Sequence, residues 1–91
     1  MRAEYCVYKH TAPDGKIYIG ITSQKVNRRW RNGNGYYLNK HFMRAIKKYG
    51  WENFRHEIVG QGLTEKEACN LEESLISKYQ SNDERFGYNK S

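Results

Sequence analysis

The sequence is poor in the residues that staple, break or anchor a chain. One proline, Pro13, stands among 91 residues, so no proline-rich linker divides the chain, and it holds no internal repeat or low-complexity tract. Two cysteines, Cys6 and Cys69, are too few and too far apart for a disulfide framework or a CxxC metal site, and both are expected as buried small apolar residues. His10, His41 and His56 lie 15 or more residues apart and make no zinc-ligand spacing. No apolar run exceeds a few residues, and with 37% hydrophobic residues and a mean hydropathy of −1.03 the chain offers neither a membrane span nor a signal-peptide core. A soluble, cytoplasmic protein is expected. Its length suits a single domain over 1–91 with one modest core, burying roughly 60–70% of the surface of the unfolded chain.

Acids are scarce in one half only. Residues 1–50 carry 11 Lys or Arg against 2 acids, a balance of +9, whereas residues 51–91 carry 5 against 8, a balance of −3. The net +6 therefore hides a basic half that suits a polyanion partner or a merely solvated face. Eight of the 13 aromatics are Tyr, a residue that packs cores, stacks on bases and handles protons.

The β-branched and aromatic runs at 4–10 and 16–21 flank Pro13-Asp14-Gly15 and predict an antiparallel hairpin. If Ala12 opposes Lys16, then His10 opposes Tyr18 and Tyr8 opposes Gly20, which puts Tyr8 and Tyr18 on one face as diagonal neighbours. Val7, Ile17, Ile19 and Ile21 fill the other face and read as core. The tyrosine face either covers a further helix or carries chemistry.

A short helix is expected over 24–32, capped by Thr22 or Ser23 and ended by Gly33-Asn34-Gly35, with Arg28, Arg29 and Arg31 around a Val26/Trp30 stripe. Asn39 caps a second helix, whose Phe42, Ala45, Ile46 and Tyr49 face inward and whose Lys40, Arg44, Lys47 and Lys48 face outward, before Gly50 ends it. A third strand is expected over 53–59, with Gly60 and Gly62 breaking it. Thr64-Glu65-Lys66-Glu67 reads as a capping box opening a last helix with the stripe Ala68, Leu71, Leu75, Ile76, Tyr79.

Glu72 interrupts that stripe. It falls between Ala68 and Leu75/Ile76 on the buried side, where an unpaired carboxylate costs several kcal/mol by the usual estimates, about 3–5. A salt bridge to an arginine and a role as metal ligand are both open.

In this order the features resemble the GIY-YIG nuclease family: a tyrosine in the first strand, Lys16-Ile17-Tyr18-Ile19-Gly20 in the second, Arg28-Arg29-Trp30, then Leu71-Glu72-Glu73-Ser74-Leu75-Ile76, and a closing Gly87-Tyr88-Asn89. The resemblance runs from about Tyr5 to Asn89. It implies an α+β fold, a three-stranded antiparallel sheet flanked by helices in the order β-β-α-α-β-α, the order that periodicity also gives. It further implies a metal-dependent endonuclease or nickase hydrolysing DNA phosphodiesters. On this pattern Tyr8 and Tyr18 are the motif tyrosines, Arg29 the family arginine, Glu72 the ligand of Mg²⁺ or Mn²⁺, and Asn89 the late asparagine, and all five are expected to be catalytic.

These residue types suit the chemistry. Negative charge grows around phosphorus in the transition state, and an arginine with a divalent cation stabilises it. A single carboxylate leaves most of the ion's shell to water and phosphate, as Mg²⁺ prefers. A tyrosine base is harder: a phenol of pKa near 10 is only about 0.1% ionised at pH 7, and bringing it to 7 takes about 4 kcal/mol. Arg29, Lys16 and a metal are expected to favour the phenolate, with Tyr8 as base and Tyr18 orienting water. Lys16, Arg28, Arg31, Lys40, Arg44, Lys47 and Lys48 are the candidate DNA contacts.

The chain departs from the family pattern in three ways. Cys6-Val7-Tyr8 replaces Gly-Ile-Tyr, Gly33 stands four residues after Arg29 where several members place a histidine, and these 91 residues leave no room for the separate DNA-recognition domain that many members carry, so little sequence specificity is expected. A monomer or weak dimer is expected. The rival reading is a catalytically inactive basic DNA-binding module on the same fold.

Overall fold

The computed structural model describes residues 4–89. Two strands, β1 (Tyr5–Thr11) and β2 (Ile17–Thr22), form the expected hairpin, and the register pairs Tyr8 with Gly20 and His10 with Tyr18. The Ala12 N–H donates to the Lys16 carbonyl, and Gly15 takes φ +90° in the turn, a conformation that glycine adopts without a Cβ penalty. A third strand, β3 (Arg55–Leu63), pairs antiparallel with β1, so the sheet order is β2-β1-β3. The last helix, α3 (Glu65–Tyr79), lies against one face. The first two, α1 (Val26–Trp30) and α2 (Lys40–Tyr49), pack their apolar residues on the other. The fold is α+β in the order β-β-α-α-β-α.

The glycines at the end of β3 bend the strand rather than break it. β3 runs on through Gly60 and Gly62, with a register shift where Tyr8 pairs with Ile58 but Val7 pairs with Gly60, leaving Val59 as the extra residue of a bulge. A Cβ on Gly60 would stand 2.8 Å from the Leu71 side chain, so the bulge lets α3 approach closely. The strand also starts later than expected, because Asn53 ends a 3-10 turn (Trp51–Asn53) and Phe54 is buried beyond it.

The first helix is shorter than its pattern suggests. α1 ends at Trp30, where Arg31 and Asn32 adopt positive φ and the chain continues as a 3-10 segment over Arg31–Tyr36. Neither Thr22 nor Ser23 caps it: Lys25 is the N-cap and makes no side-chain bond, while the Thr22 hydroxyl accepts from the Gln24 N–H in a local turn. The caps of the other two helices form as expected. Asn39 accepts from the Phe42 N–H, and Thr64 and Glu67 exchange both bonds of a capping box. Cys6 and Cys69 are free and only half-buried, so their expected full burial is corrected.

Both faces of the sheet are core. Val7, Ile19 and Ala68 are buried with Leu71, Leu75, Ile76 and Tyr79 packed around them. On the opposite face Tyr8, Tyr36, Phe42, Phe54 and Tyr88 form an aromatic core with Tyr18, Trp30 and Trp51 at its edge. Thus the tyrosine face does cover helices, and the site is built into that cover.

Candidate active site

Strand alternation puts Tyr8, His10 and Tyr18 on the α1/α2 face. Tyr8 is fully buried, and its ring ends directly over Gly20. A Cβ there would stand 2.5 Å from the Tyr8 Cζ and Oη, so the glycine makes room for the phenol. The Tyr8 hydroxyl is buried with the Tyr36 hydroxyl as its hydrogen-bonding neighbour, and no bond of good geometry saturates it.

Tyr18 stacks on Phe42 at 4.7 Å and lines a cleft of about 320 Å³ with Arg29, Gly35, Tyr36, Leu38, Asn39 and Asn89. The turn after α1 aims Arg29 at this cleft. Its Nη1 donates to the Gly35 carbonyl at 2.6 Å, and its Cζ sits 4.6 Å from the centroid of the Tyr36 ring. Arg29 also acts on the Tyr18 hydroxyl as a hydrogen-bonding neighbour, and a guanidinium has five N–H donors, more than these two partners use.

Asn89 turns out to be a fastener. Its Nδ2 donates to the Ile19 carbonyl at 2.7 Å, and its Oδ1 accepts from the Ile19 N–H and the Ser81 hydroxyl, both at 2.8 Å. The carboxamide thereby satisfies the outer edge of β2 between Tyr18 and Gly20 and fixes where Tyr18 stands. Asn39, besides capping α2, donates to the Tyr88 carbonyl and ties the same terminal segment to that helix.

Glu72 is half-buried on α3, and among the described residues no arginine or other group forms an ion pair or hydrogen bond with it. Burial, and then the Glu73 charge, raise its pKa. The charge of Glu72 reaches Tyr8 and Tyr18 and so does that of Arg29, with opposite effects on both phenols. No group of three or more His, Cys, Asp or Glu suited to a metal occurs among the described residues. A half-buried carboxylate without an ion-pair partner among the described residues fits a hard, water-rich cation that needs few protein ligands.

The electrostatics of the tyrosines run against the sequence argument. Burial pushes Tyr8 above the ordinary phenol value, with Tyr36 and Arg29 opposing it, and burial pushes Tyr18 up to about 12. At that value about one Tyr18 in 10⁵ is ionised at pH 7. Desolvation outweighs Arg29, so the resting protein holds neutral phenols. Lys16, expected to help, sits instead with its Nζ 5.9 Å from the Tyr88 ring centroid.

The basic residues divide. Lys40 lines a larger cleft of about 510 Å³ that shares Leu38, Asn39 and Asn89 with the first. Lys16, Arg44 and Lys48 border a depression with Asp14 and Tyr88, and Arg28, Arg31 and Lys47 are exposed on or beside α1 and α2. His41 packs on Tyr88 at 4.8 Å, away from Tyr8. Sequence reasoning passed over Tyr36, His10 and His56, which the structure brings behind the cleft. The signal was present for His10, which shares the period-two face of Tyr8 and Tyr18.

A three-stranded sheet carries this cleft, with Tyr18, Arg29 and Asn89 in its wall and Glu72 on α3. The chain matches the GIY-YIG catalytic domain over residues 4–89, nearly its whole length, and belongs to that family. It is a nuclease domain, and nucleases of this family act on DNA. No curated protein and no solved structure matches the chain significantly. Among the described residues no helix is long and apolar enough to cross a membrane.

Proposed function

We propose that the protein is a divalent-metal-dependent DNA endonuclease that nicks one strand per catalytic event. The observation that carries this reading is the cleft that brings Tyr18, Arg29 and Asn89 together, with the Glu72 charge acting on Tyr8 and Tyr18 from α3. A pure binding module gains nothing from a half-buried, unpaired carboxylate near a phosphate site.

Glu72 would hold Mg²⁺ or Mn²⁺, and the bound ion would supply electrostatic stabilisation of charge on the phosphate oxygens. Arg29, already anchored through Nη1, presents its other N–H groups to a non-bridging phosphate oxygen and strengthens that contact as charge develops. Tyr8 accepts the proton of the attacking water as it gives up its own to a neighbouring acceptor, and Tyr18 orients that water from the cleft wall. Asn89 positions Tyr18 through Ile19. Lys40, Arg44, Lys47, Lys48, Lys16, Arg28 and Arg31 bind the DNA backbone without reading sequence. With one such site a monomer cuts one strand.

The test is supercoiled plasmid incubated with the protein in Mg²⁺, Mn²⁺ or EDTA, alongside Tyr8→Phe and Tyr18→Phe. Nicking that needs metal and falls strongly in Tyr8→Phe is expected. Wild-type rates in Tyr8→Phe would remove Tyr8 as base, and binding without nicking in any metal would favour the inactive module.

A further inference from the structure

A chain of polar groups runs behind the cleft through the aromatic core. The Tyr36 Oη lies 2.7 Å from His10 Nε2, His10 Nδ1 lies 2.9 Å from His56 Nδ1, and His56 Nε2 lies 3.0 Å from the Trp51 carbonyl oxygen. A carbonyl only accepts, so His56 Nε2 carries a hydrogen. A neutral imidazole carries one, so His56 Nδ1 accepts from His10 Nδ1–H, and His10 Nε2 accepts from the Tyr36 hydroxyl. Both imidazoles are held neutral, because burial lowers His10 to about 2 and lowers His56 as well. Every bond therefore points the same way, from the cleft to β3.

Aromatic rings wall the chain in. His10 is fully buried, with Tyr8, Trp30, Phe42 and Trp51 rings within 4.8–6.0 Å. Arg29 is the charged group acting on it, and His56 is its titratable neighbour. At the cleft end Tyr36 lines the wall beside Tyr18 and Arg29, and its hydroxyl and that of Tyr8 act on each other's acidity. At the far end His56 is only half-buried. A core that needed only packing would fill this space with apolar side chains and avoid desolvating two imidazoles.

We propose that Tyr36, His10 and His56 form a proton relay that takes up the proton released at the Tyr8 base during phosphodiester hydrolysis. The inference rests on the hydrolytic reading above. As the water oxygen bonds to phosphorus, the bond to the leaving oxygen breaks and that oxygen keeps the electron pair. The water proton passes to the Tyr8 oxygen, the Tyr8 proton to the Tyr36 oxygen, the Tyr36 proton to His10 Nε2, and the His10 Nδ1 proton to His56 Nδ1. Tyr8, Tyr36 and His10 end neutral, and His56 ends as an imidazolium still donating to Trp51. No phenolate is formed in a site whose burial opposes one. After product leaves, the chain runs backward and returns the proton to water in the cleft.

His56→Gln tests the relay, since an amide can donate to Trp51 and accept from His10 but cannot hold an added proton. Plasmid nicking by this variant is expected to lose at least about tenfold in kcat, less than the roughly 10²–10⁴ of a group that takes the proton from water directly, with KM and Tm near wild type. The wild-type slowing in D₂O is expected to shrink in the variant. Tyr36→Phe, which cuts the chain at its entrance, should reproduce the kcat loss. Wild-type kcat in either variant, folded, would overturn the relay while leaving the nuclease reading intact, whereas wild-type protein that nicks no DNA sinks that reading itself. Imidazole ¹⁵N shifts give an arm independent of activity: His10 protonated at Nδ1 and His56 at Nε2 support the direction of the chain, and the opposite tautomers overturn it.

Discussion

The two faces of one small sheet are built to different specifications. Under α3, Val7, Ile19 and Ala68 meet Leu71, Leu75 and Ile76 in an apolar layer. Under α1 and α2 the core is aromatic and laced with polar atoms: a fully buried His10, a Tyr36 hydroxyl bonded to it, the buried Tyr8 Oη beside Tyr36, and the Trp30 Nε1. Alternation along β1 sends Val7 to the first and Tyr8 to the second. The first face stabilises the fold. The second gives up some stability to hold buried polar groups, as functional sites commonly do.

The sharpest way to break this comparison is to truncate one residue on each face. Arg29→Ala is expected to lower kcat for nicking by about 10²–10³ with little change in Tm, the effect of removing a preorganised transition-state donor. Leu75→Ala should do the reverse, costing about 2 kcal/mol, at the low end for a half-exposed leucine, while the folded fraction nicks at the wild-type rate. Equal loss of activity in both, measured beside their melting curves, would erase the distinction.

Gly20→Ala should blur the faces. Its methyl would collide with the end of the Tyr8 ring, so a cost of about 1–3 kcal/mol is expected together with slower nicking as the phenol is displaced. Unchanged stability would mean that Tyr8 is free to move.

The polar face should also show in acid. His10 and His56 have folded pKa values below their ordinary ones, so the unfolded chain binds more protons and stability falls as pH drops below about 6.5. His10, fully buried and lowered to about 2, contributes up to about 1.4 kcal/mol per pH unit, present above pH 6.5 and lost progressively below it. A Tm series from pH 7 to 5 should slope accordingly, and His10→Asn should flatten it from a lower start.

The smallest effect concerns the exposed strip. Replacing Lys47 and Lys48 by Glu should weaken DNA binding and reduce the slope of log K against log salt by up to about 2. An unchanged slope would move the contact surface away from the outer side of α2.

Most of the fold was legible because its signals were local. The Pro13-Gly15 turn, the Asn39 cap and the Thr64–Glu67 capping box each satisfy specific backbone groups, and alternation then assigned Tyr8 and Tyr18 to one face. The end of α1 was not legible, since Arg31 and Asn32 take left-handed conformations that nothing in Arg-Asn-Gly-Asn-Gly demands. Gly60 and Gly62 were read as breakers because a bulge depends on the Leu71 side chain above it, a contact made across the fold. In the site, Tyr8, Tyr18, Arg29 and Glu72 carry motifs, whereas Tyr36 and His56 become partners only through long-range packing onto His10. The sign of the tyrosine shifts depended on burial, which net charge does not report.

Glu72→Gln, followed in Tm and in plasmid nicking, separates a metal-holding carboxylate from a structural one. Because burial raises the Glu72 pKa, the native state holds that proton more tightly than the unfolded chain does. Its stabilising effect is present below about pH 4.5 and lost as pH rises through the folded value. The ionised carboxylate therefore weakens the metal-free fold at pH 7. Glu72→Gln is expected to raise Tm in EDTA at pH 7 and to abolish metal-dependent nicking, whereas a folded variant that nicks plasmid at the wild-type rate would contradict the account.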